Sequence, residues 1–220
     1  MIIFCMTSEF YAAISGAIVG GIITVCMQLF TINAARKERD DERLENRKTL
    51  SECLLMKVMR IYSYELKLNK LLEAAYDSAD PANHNDPWRF VMPVATDFEF
   101  IKFTFDELAL VRSLNDNDLF HLIIQLDHKY NDLIRLFSLY RTKRTALTDQ
   151  MSAEMEGNIG TSILSTDEVN QFKPRMVELN SIISPVRKHL KKDLKESRFT
   201  LESLHETLKK SKLTDGNIMF

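Results

Sequence analysis

The chain has 220 residues, enough for one domain or for one domain with an appendage. Its 45% hydrophobic and 27% charged residues are typical of an ordinary folded protein, and only 6 glycines and 5 prolines favour an α-rich chain. Cys5, Cys26 and Cys53 are odd in number and scattered, which excludes a visible disulfide framework or a four-cysteine metal site.

The first predicted element is an uncharged apolar helix. No charged residue occurs from Phe10 to Ala35, and a helix from Phe10 to Ile32 would extend roughly 35 Å, against a hydrocarbon core of about 30 Å. A buried core helix and a cleaved signal peptide are the alternatives. Cores rarely use so long an apolar run, and a signal peptide would carry a basic start and a small-residue cleavage site. We therefore predict an uncleaved transmembrane anchor.

The charges beside this helix predict its orientation. The net charge of −2 conceals an asymmetry, because all 29 lysines and arginines lie from Arg36 onward. Six of them crowd the C-terminal flank: Arg36, Lys37, Arg39, Arg43, Arg47 and Lys48. Because basic flanks stay on the cytoplasmic side, we expect the short N-terminus to face out and the C-terminus to be cytoplasmic.

Small residues form one face of the anchor. They recur every four residues, which is one helical turn: Ala12, Gly16, Gly20 and Thr24. A neighbouring row consists of Ala13, Ala17 and Gly21. Such faces let two helix backbones approach closely in lipid, although glycine and alanine are also common filling in membrane helices. We predict self-association through this face.

The anchor is predicted to continue as a helix into the polar part of the chain. No glycine or proline occurs between Thr24 and Asp80, and pairs such as Arg36/Asp40 are spaced to support an exposed helix. An apolar stripe follows at spacings of mostly three and four: Leu50, Leu54, Val58, Ile61, Leu68 and Leu72. The run DSADPANHNDP, rich in Asp, Asn and Pro, ends this helix.

A Phe-rich segment comes next, from Trp88 to Phe105. Its phenylalanines approximate a two-residue alternation with one slip: Phe98, Phe100, Phe103 and Phe105. This pattern predicts an extended strand or a short hairpin with Phe90 and Val91. The aromatic side chains either pack on the helices or form a docking surface for a partner. Thr104 and Glu107 then fit a capping box that starts a helix.

The clearest helix follows the LNDND run. Its apolar residues recur every seven positions: Leu119, Leu126, Leu133, Tyr140 and Leu147. Further apolar residues fall between them: Leu122, Ile123, Tyr130 and Phe137. We predict a coiled-coil-like seam, which the GNIGTS run ends.

The last helical region opens with a second capping box, Ser165 with Glu168. Its apolar stripe comprises Met176, Leu179, Ile183, Val186, Leu190, Leu194, Leu201, Leu204 and Leu208. Pro185 is expected to kink or restart the helix.

Together these elements predict an all-α protein, in which a single N-terminal transmembrane helix continues into a cytoplasmic bundle of long coiled-coil-like helices. The predicted parts are a tail and anchor (1–35), a helical domain (36–213) with an irregular segment (79–105), and a flexible tail (214–220).

Few residues suggest chemistry. Asp116 to Asp127 lacks the central glycine and final glutamate of a calcium loop. His121 and His128 share a helix face without a third ligand. Arg198 and His205 loosely fit the spacing of HEPN-type ribonucleases, but Phe199 stands where that family usually has a polar residue. We therefore predict no enzyme activity, no catalytic residues, no cofactor, no metal and no small-molecule substrate.

A basic face lies on the last helix, beside its apolar stripe: Lys188, Lys191, Lys192, Lys195 and Arg198. It is either an ordinary solvated face or a surface for anionic lipid or a nucleic-acid backbone. Few aromatic residues are interleaved, which disfavours sequence-specific base reading.

The motifs ISGAIVGGII, FDELALV and LDHKYNDLI, with the architecture around them, resemble small single-pass proteins of bacterial mobile defence loci. These include membrane effectors paired with retrons or abortive-infection modules. The resemblance implies a latent toxin in the inner membrane. It also implies a cytoplasmic protein or ribonucleoprotein partner, such as a reverse transcriptase with its nucleic acid, that restrains the toxin until infection. A membrane-tethered scaffold or adaptor and an anchored HEPN-like nuclease are the alternatives.

Overall fold

Four α-helices make up most of the part of this protein that the structure describes. The computed structural model describes residues 2–93, 98–151, 154–156, 159–161 and 165–214, and only the backbone of 2–12, 15, 154–156 and 159–161. The helices are α1 (Ile2–Ser78), α2 (Phe105–Ser113), α3 (Asn117–Thr148) and α4 (Thr166–Lys210). Two three-residue antiparallel strands, β1 (Glu154–Glu156) and β2 (Ile159–Thr161), lie between α3 and α4. The prediction of an all-α protein with a long apolar N-terminal helix is confirmed.

The chain divides into two compact units, Met1–Thr49 and Leu50–Phe220. The first consists of helical residues of α1. The second, which we call the body, contains the rest of α1 and the other three helices. Of the predicted tail at 214–220, only Thr214 lies within the described residues.

The predicted apolar stripes form the core of the body. In α3, the heptad positions Leu119, Tyr140 and Leu147 are at most 1% exposed, and Leu126 and Leu133 are also buried. Most of the stripe residues of α1 and α4 are buried with them, namely Leu54, Val58, Ile61, Leu68, Leu72, Leu179, Ile183, Val186, Leu190, Leu201, Leu204 and Leu208. Removal of this apolar surface from water is the main force that holds the helices together.

Local hydrogen bonds set where the helices begin. Thr104 at the start of α2 and Ser165 at the start of α4 each accept a backbone N–H three residues ahead. In turn, the carboxylates of Glu107 and Glu168 each accept a hydrogen bond from the backbone N–H of the capping residue. Both predicted capping boxes are therefore confirmed. Asp116, from the LNDND run, caps α3 by accepting from Leu119 N at 3.0 Å.

The prediction of a strand or hairpin in the Phe-rich segment is wrong for its described residues, since none of 88–93 and 98–105 is in a strand. Residues Pro81–Asn83 and Pro87–Arg89 instead form short 3-10 helices. Phe98 and Phe103 pack against the core, whereas Phe100 and Phe105 are exposed. The alternation failed as a signal because, among the described residues, no strand pairs with this segment.

Side chains of α3 hold this irregular segment in place by binding its backbone carbonyls. The Tyr140 hydroxyl donates to Val91 O at 2.6 Å, and the Tyr130 hydroxyl donates to Glu99 O at 2.7 Å. Burial raises the pKa of Tyr140 to about 12, so its hydroxyl keeps the proton that it donates. The buried Arg144 donates from Nε to Trp88 O at 2.9 Å. These three backbone carbonyls, which are not paired in a sheet, thereby have hydrogen-bond donors.

Helix α4 passes Pro185 without the restart that was one of the two predicted outcomes. Ile183 and Val186 on either side are buried, whereas Ser181, whose carbonyl loses its helical partner, lies on the exposed side. Burial of the apolar residues outweighs one missing hydrogen bond, because water can solvate the free carbonyl.

Candidate membrane anchor and charged surfaces

The apolar part of α1 is the first candidate functional site. Among the described residues, this is the one helix long and apolar enough to cross a membrane, near the N-terminus. Its most apolar window has a mean hydropathy of 1.8, and none of that window is buried. Large side chains such as Ile18, Phe30 and Met27 are between 57% and 78% exposed. This part of the helix therefore presents exposed apolar surface.

The predicted association face lies within this helix. Gly16 and Gly20 are helical, and a Cβ placed on either one would meet no atom within 4 Å. The Thr24 hydroxyl donates to Gly20 O at 2.8 Å, so its polar group is satisfied within the helix. Ala12 is helical too, but its side chain lies outside the described residues. A four-residue spacing on a continuous helix keeps these positions on one side.

Polar side chains follow the small residues along the same helix. Thr31 donates to Met27 O at 2.9 Å, and Thr24, about two turns earlier, makes the same kind of bond to Gly20 O. Gln28, four residues after Thr24, shares a shallow groove with both threonines. The Gln28 carboxamide has two N–H donors and one carbonyl acceptor. A single hydrogen bond to a backbone carbonyl of the preceding turn, of the kind that the threonines make, cannot satisfy all three. Gln28 carries the one carboxamide in the sequence from Phe10 to Ile32.

The predicted basic face on α4 is largely engaged with carboxylates. Lys191 pairs with Glu73 of α1 at 2.8 Å, Lys192 with Glu196 at 3.5 Å, and Arg198 with Glu202 at 2.9 Å. Lys188 and Lys195 are exposed on the same helix. Three of the five predicted cations are thus partly neutralised, which weakens the field that the face could offer to an anionic ligand.

Glu73 is the centre of an ionic contact between α1 and α4. It accepts from Lys191 and from Arg187, whose Nε lies 3.0 Å away. These hydrogen bonds, above all that from Lys191, hold the pKa of Glu73 below its usual value. The Arg187 guanidinium also lies 3.7 Å from the centre of the Tyr76 ring. Cation–π contacts of this kind fix the position of the arginine.

The other candidate residues are two pairs, one on α3 and one on α4. His121 and His128 are exposed, and within the described ranges no cluster of three His, Cys, Asp or Glu side chains could hold a metal. The guanidinium of Arg198 is held by Glu202, and His205 is half-buried one turn further on.

The burial of three charged residues escaped prediction: Glu65, Glu107 and Arg144. Glu107, 3% exposed, pairs with Lys57 of α1 at 2.8 Å while also serving in the capping box. Glu65 of α1 is 1% exposed and accepts a hydrogen bond from the Ser197 hydroxyl of α4. In the sequence, Glu65 occupies the gap between Ile61 and Leu68 of the apolar stripe. A charged residue in register with a buried stripe is the signal that could have identified it.

Comparisons with protein-family models, with curated proteins and with solved structures returned no match for this chain.

Proposed function

We propose that this protein is a membrane-anchored effector of a bacterial antiviral defence system, which disrupts the inner membrane when a cytoplasmic partner releases it. The observation that carries the proposal is the exposed apolar span of α1, none of whose most apolar window is buried. In water, an exposed apolar surface of this size would promote aggregation, whereas in a bilayer it contacts the lipid chains. The defence role itself rests on the resemblance in the ISGAIVGGII, FDELALV and LDHKYNDLI motifs.

The bilayer and a second copy of the chain are the partners that the anchor favours. The open space beside Gly16 and Gly20 supports close approach of another helix. The Gln28 carboxamide supports the same pairing, because lipid offers it no hydrogen-bond partner and a second copy does. Between lipid-embedded helices, one such bond is worth about 0.6 kcal/mol on average.

The proposed action requires more than one isolated apolar helix. A single apolar helix satisfies its backbone groups internally and provides no polar path across a bilayer. Several copies must gather, or the amphipathic helices of the body must enter the membrane interface. The restraining partner, a protein or a ribonucleoprotein, would hold the body in the cytoplasm and keep copies from gathering.

The proposal predicts that toxicity depends on the anchor. Expression of the full chain without its partner should stop growth and collapse the membrane potential, whereas residues 36–220 alone should do neither. Harmless expression of the full chain together with capture of one fixed partner would favour the tethered scaffold. Toxicity that survives in residues 36–220 and disappears in His205→Ala would favour the nuclease.

Glycine substitutions test the assembly step in the same cells. Gly16→Leu and Gly20→Leu insert side chains into the association face, so both a transmembrane-association reporter and toxicity should fall. Ile18→Leu is the matched control, because it presents a leucine on the opposite side of the helix, where Ile18 is 57% exposed. Lost association with full toxicity would remove assembly from the mechanism.

A further inference from the structure

The buried carboxyl of Glu65 lies where three helices of the body meet. One of its oxygens, Oε2, accepts a hydrogen bond from the Ser197 hydroxyl of α4. The other oxygen, Oε1, is buried and has no hydrogen-bond partner among the described residues. An unsatisfied carboxylate oxygen is costly at 1% exposure, because desolvation penalises its charge.

A small cavity adjoins this carboxyl. Its lining includes Gln125 and Lys129 from α3 and Asp193, Glu196 and Thr200 from α4. The free space is about 10 Å³, which is close to the minimum that one water molecule requires. Leu122 and Leu126 also line this space, which holds at most one water molecule beside the polar side chains.

The charges around the cavity do not balance when every group is ionised. Three carboxyl groups line it, and the facing cation from α3 is Lys129. Lys129 is already held by Glu196 and by Asp193, whose Oδ1 lies 3.6 Å from Nζ. Tyr130 of α3 also faces Glu65 and stays neutral, because burial raises its pKa. Lys192 pairs with Glu196 at 3.5 Å from the exposed side.

We propose that the Glu65 carboxyl and this cavity form a proton-binding site that links the packing of α1 against α3 and α4 to pH. The ligand is a proton, taken up from water and held on a carboxyl that three helices bury. The site is independent of the proposed function, since it concerns the body and not the anchor.

The electrostatics agree with this geometry. Burial raises the pKa of Glu65 from 4.5 to about 7, and the nearby Asp193 and Glu196 raise it as well, while Ser197 and Lys129 oppose the shift. Below pH 4.5 the carboxyl is protonated whether the body is folded or unfolded, so it does not affect stability. Between pH 4.5 and about 7 only the unfolded chain ionises, so stability falls as pH rises. Above about pH 7 the carboxyl is ionised in both states, so its cost to the free energy of unfolding no longer changes with pH.

The test is the pH dependence of unfolding for the full chain in detergent micelles. The ratio of unfolding constants for the wild type and Glu65→Gln should change by up to about tenfold per pH unit between pH 5 and 7 and be constant above pH 7.5. Glu206→Gln, which removes an exposed carboxylate 3.7 Å from Lys210, is the matched control and should keep the wild-type profile. Parallel profiles for the wild type and Glu65→Gln would overturn the proposal.

A measurement on the wild type keeps the test decisive if Glu65→Gln does not fold. Infrared spectroscopy of the protonated carboxyl should reveal one buried acid that loses its proton with a midpoint near pH 7. Ser197→Ala should move that midpoint to higher pH, because the hydroxyl hydrogen bond favours the ionised form. Absence of a carboxyl that titrates between pH 5.5 and 8.5 would equally overturn the proposal.

Discussion

The substitution Ile123→Asp should unfold the body at room temperature. Ile123 is 0% exposed and lies in the seam of α3. Its replacement removes a buried side chain, which costs about 2–5 kcal/mol, and introduces a carboxylate into the core. Asp127, one turn further along the helix, would repel the new charge. We expect a loss of at least about 4 kcal/mol in the free energy of unfolding, a large part of the about 5–15 kcal/mol of a typical domain.

Circular dichroism of the full chain in detergent micelles measures this effect as a lost cooperative transition. Leu139→Asp is the control in the same helix, because Leu139 is 42% exposed and has Arg135 and Lys143 one turn away on either side. It should change stability by no more than about 0.5 kcal/mol. Similar melting of Ile123→Asp and the wild type would show that the seam is not the core of the body.

The substitution Lys57→Met should cause the second-largest loss in the free energy of unfolding of the body. It leaves the Glu107 carboxylate, 3% exposed, without its cation, and it also removes the bond from Lys57 Nζ to Lys102 O at 3.0 Å. Loss of one partner of a buried pair costs about 3–5 kcal/mol. Because Lys57 is itself 31% exposed, water can reach part of the site, and we expect about 2–3 kcal/mol.

The neighbouring ion pair provides the control for Lys57→Met. Arg60 of α1 lies 3.4 Å from Glu99, and both side chains are more than half exposed. Arg60→Met should therefore cost at most about 1 kcal/mol, because exposed pairs contribute little. Chemical unfolding of both variants gives the comparison. Equal losses would mean that burial of Glu107 does not distinguish the two pairs.

The helices and their ends were predictable because their signals are local. The capping boxes at Thr104 and Ser165 depend on residues only three positions apart, and the seam of α3 repeats along one helix. Such signals survive in the fold when tertiary packing agrees with them. At Pro185 the local signal for a helix restart and the tertiary packing disagree. The helix continues there because it buries Ile183 and Val186.

The irregular segment was not predictable, because its partners lie far away in sequence. Val91 O and Glu99 O bind hydroxyls of Tyr140 and Tyr130, respectively, which are 49 and 31 residues distant. Nothing in the Phe alternation indicates these bonds. The phenylalanines instead divide between core and solvent, which a strand with one buried face would not produce.

The polar contacts between α1 and α4 depend on register. Glu65 interrupts the stripe of α1, and Ser197 interrupts that of α4 between Leu194 and Leu201. Each interruption is visible in the sequence, but the pairing of the two requires knowledge of how the helices are aligned. Likewise, Lys191 belongs to a basic face when α4 is considered alone, and Glu73 of α1 neutralises it in the fold.

The location of the chain tests the account most directly, because both the anchor and the proposed partners depend on it. The measurement is carbonate extraction of bacterial membranes from cells that express the full chain with a C-terminal reporter active only in the cytoplasm. We expect the protein to stay in the inner-membrane fraction and the reporter to be active, since all 29 basic residues follow the apolar span. Release by carbonate, or a silent reporter with a protease-accessible C-terminus in the periplasm, would contradict the account.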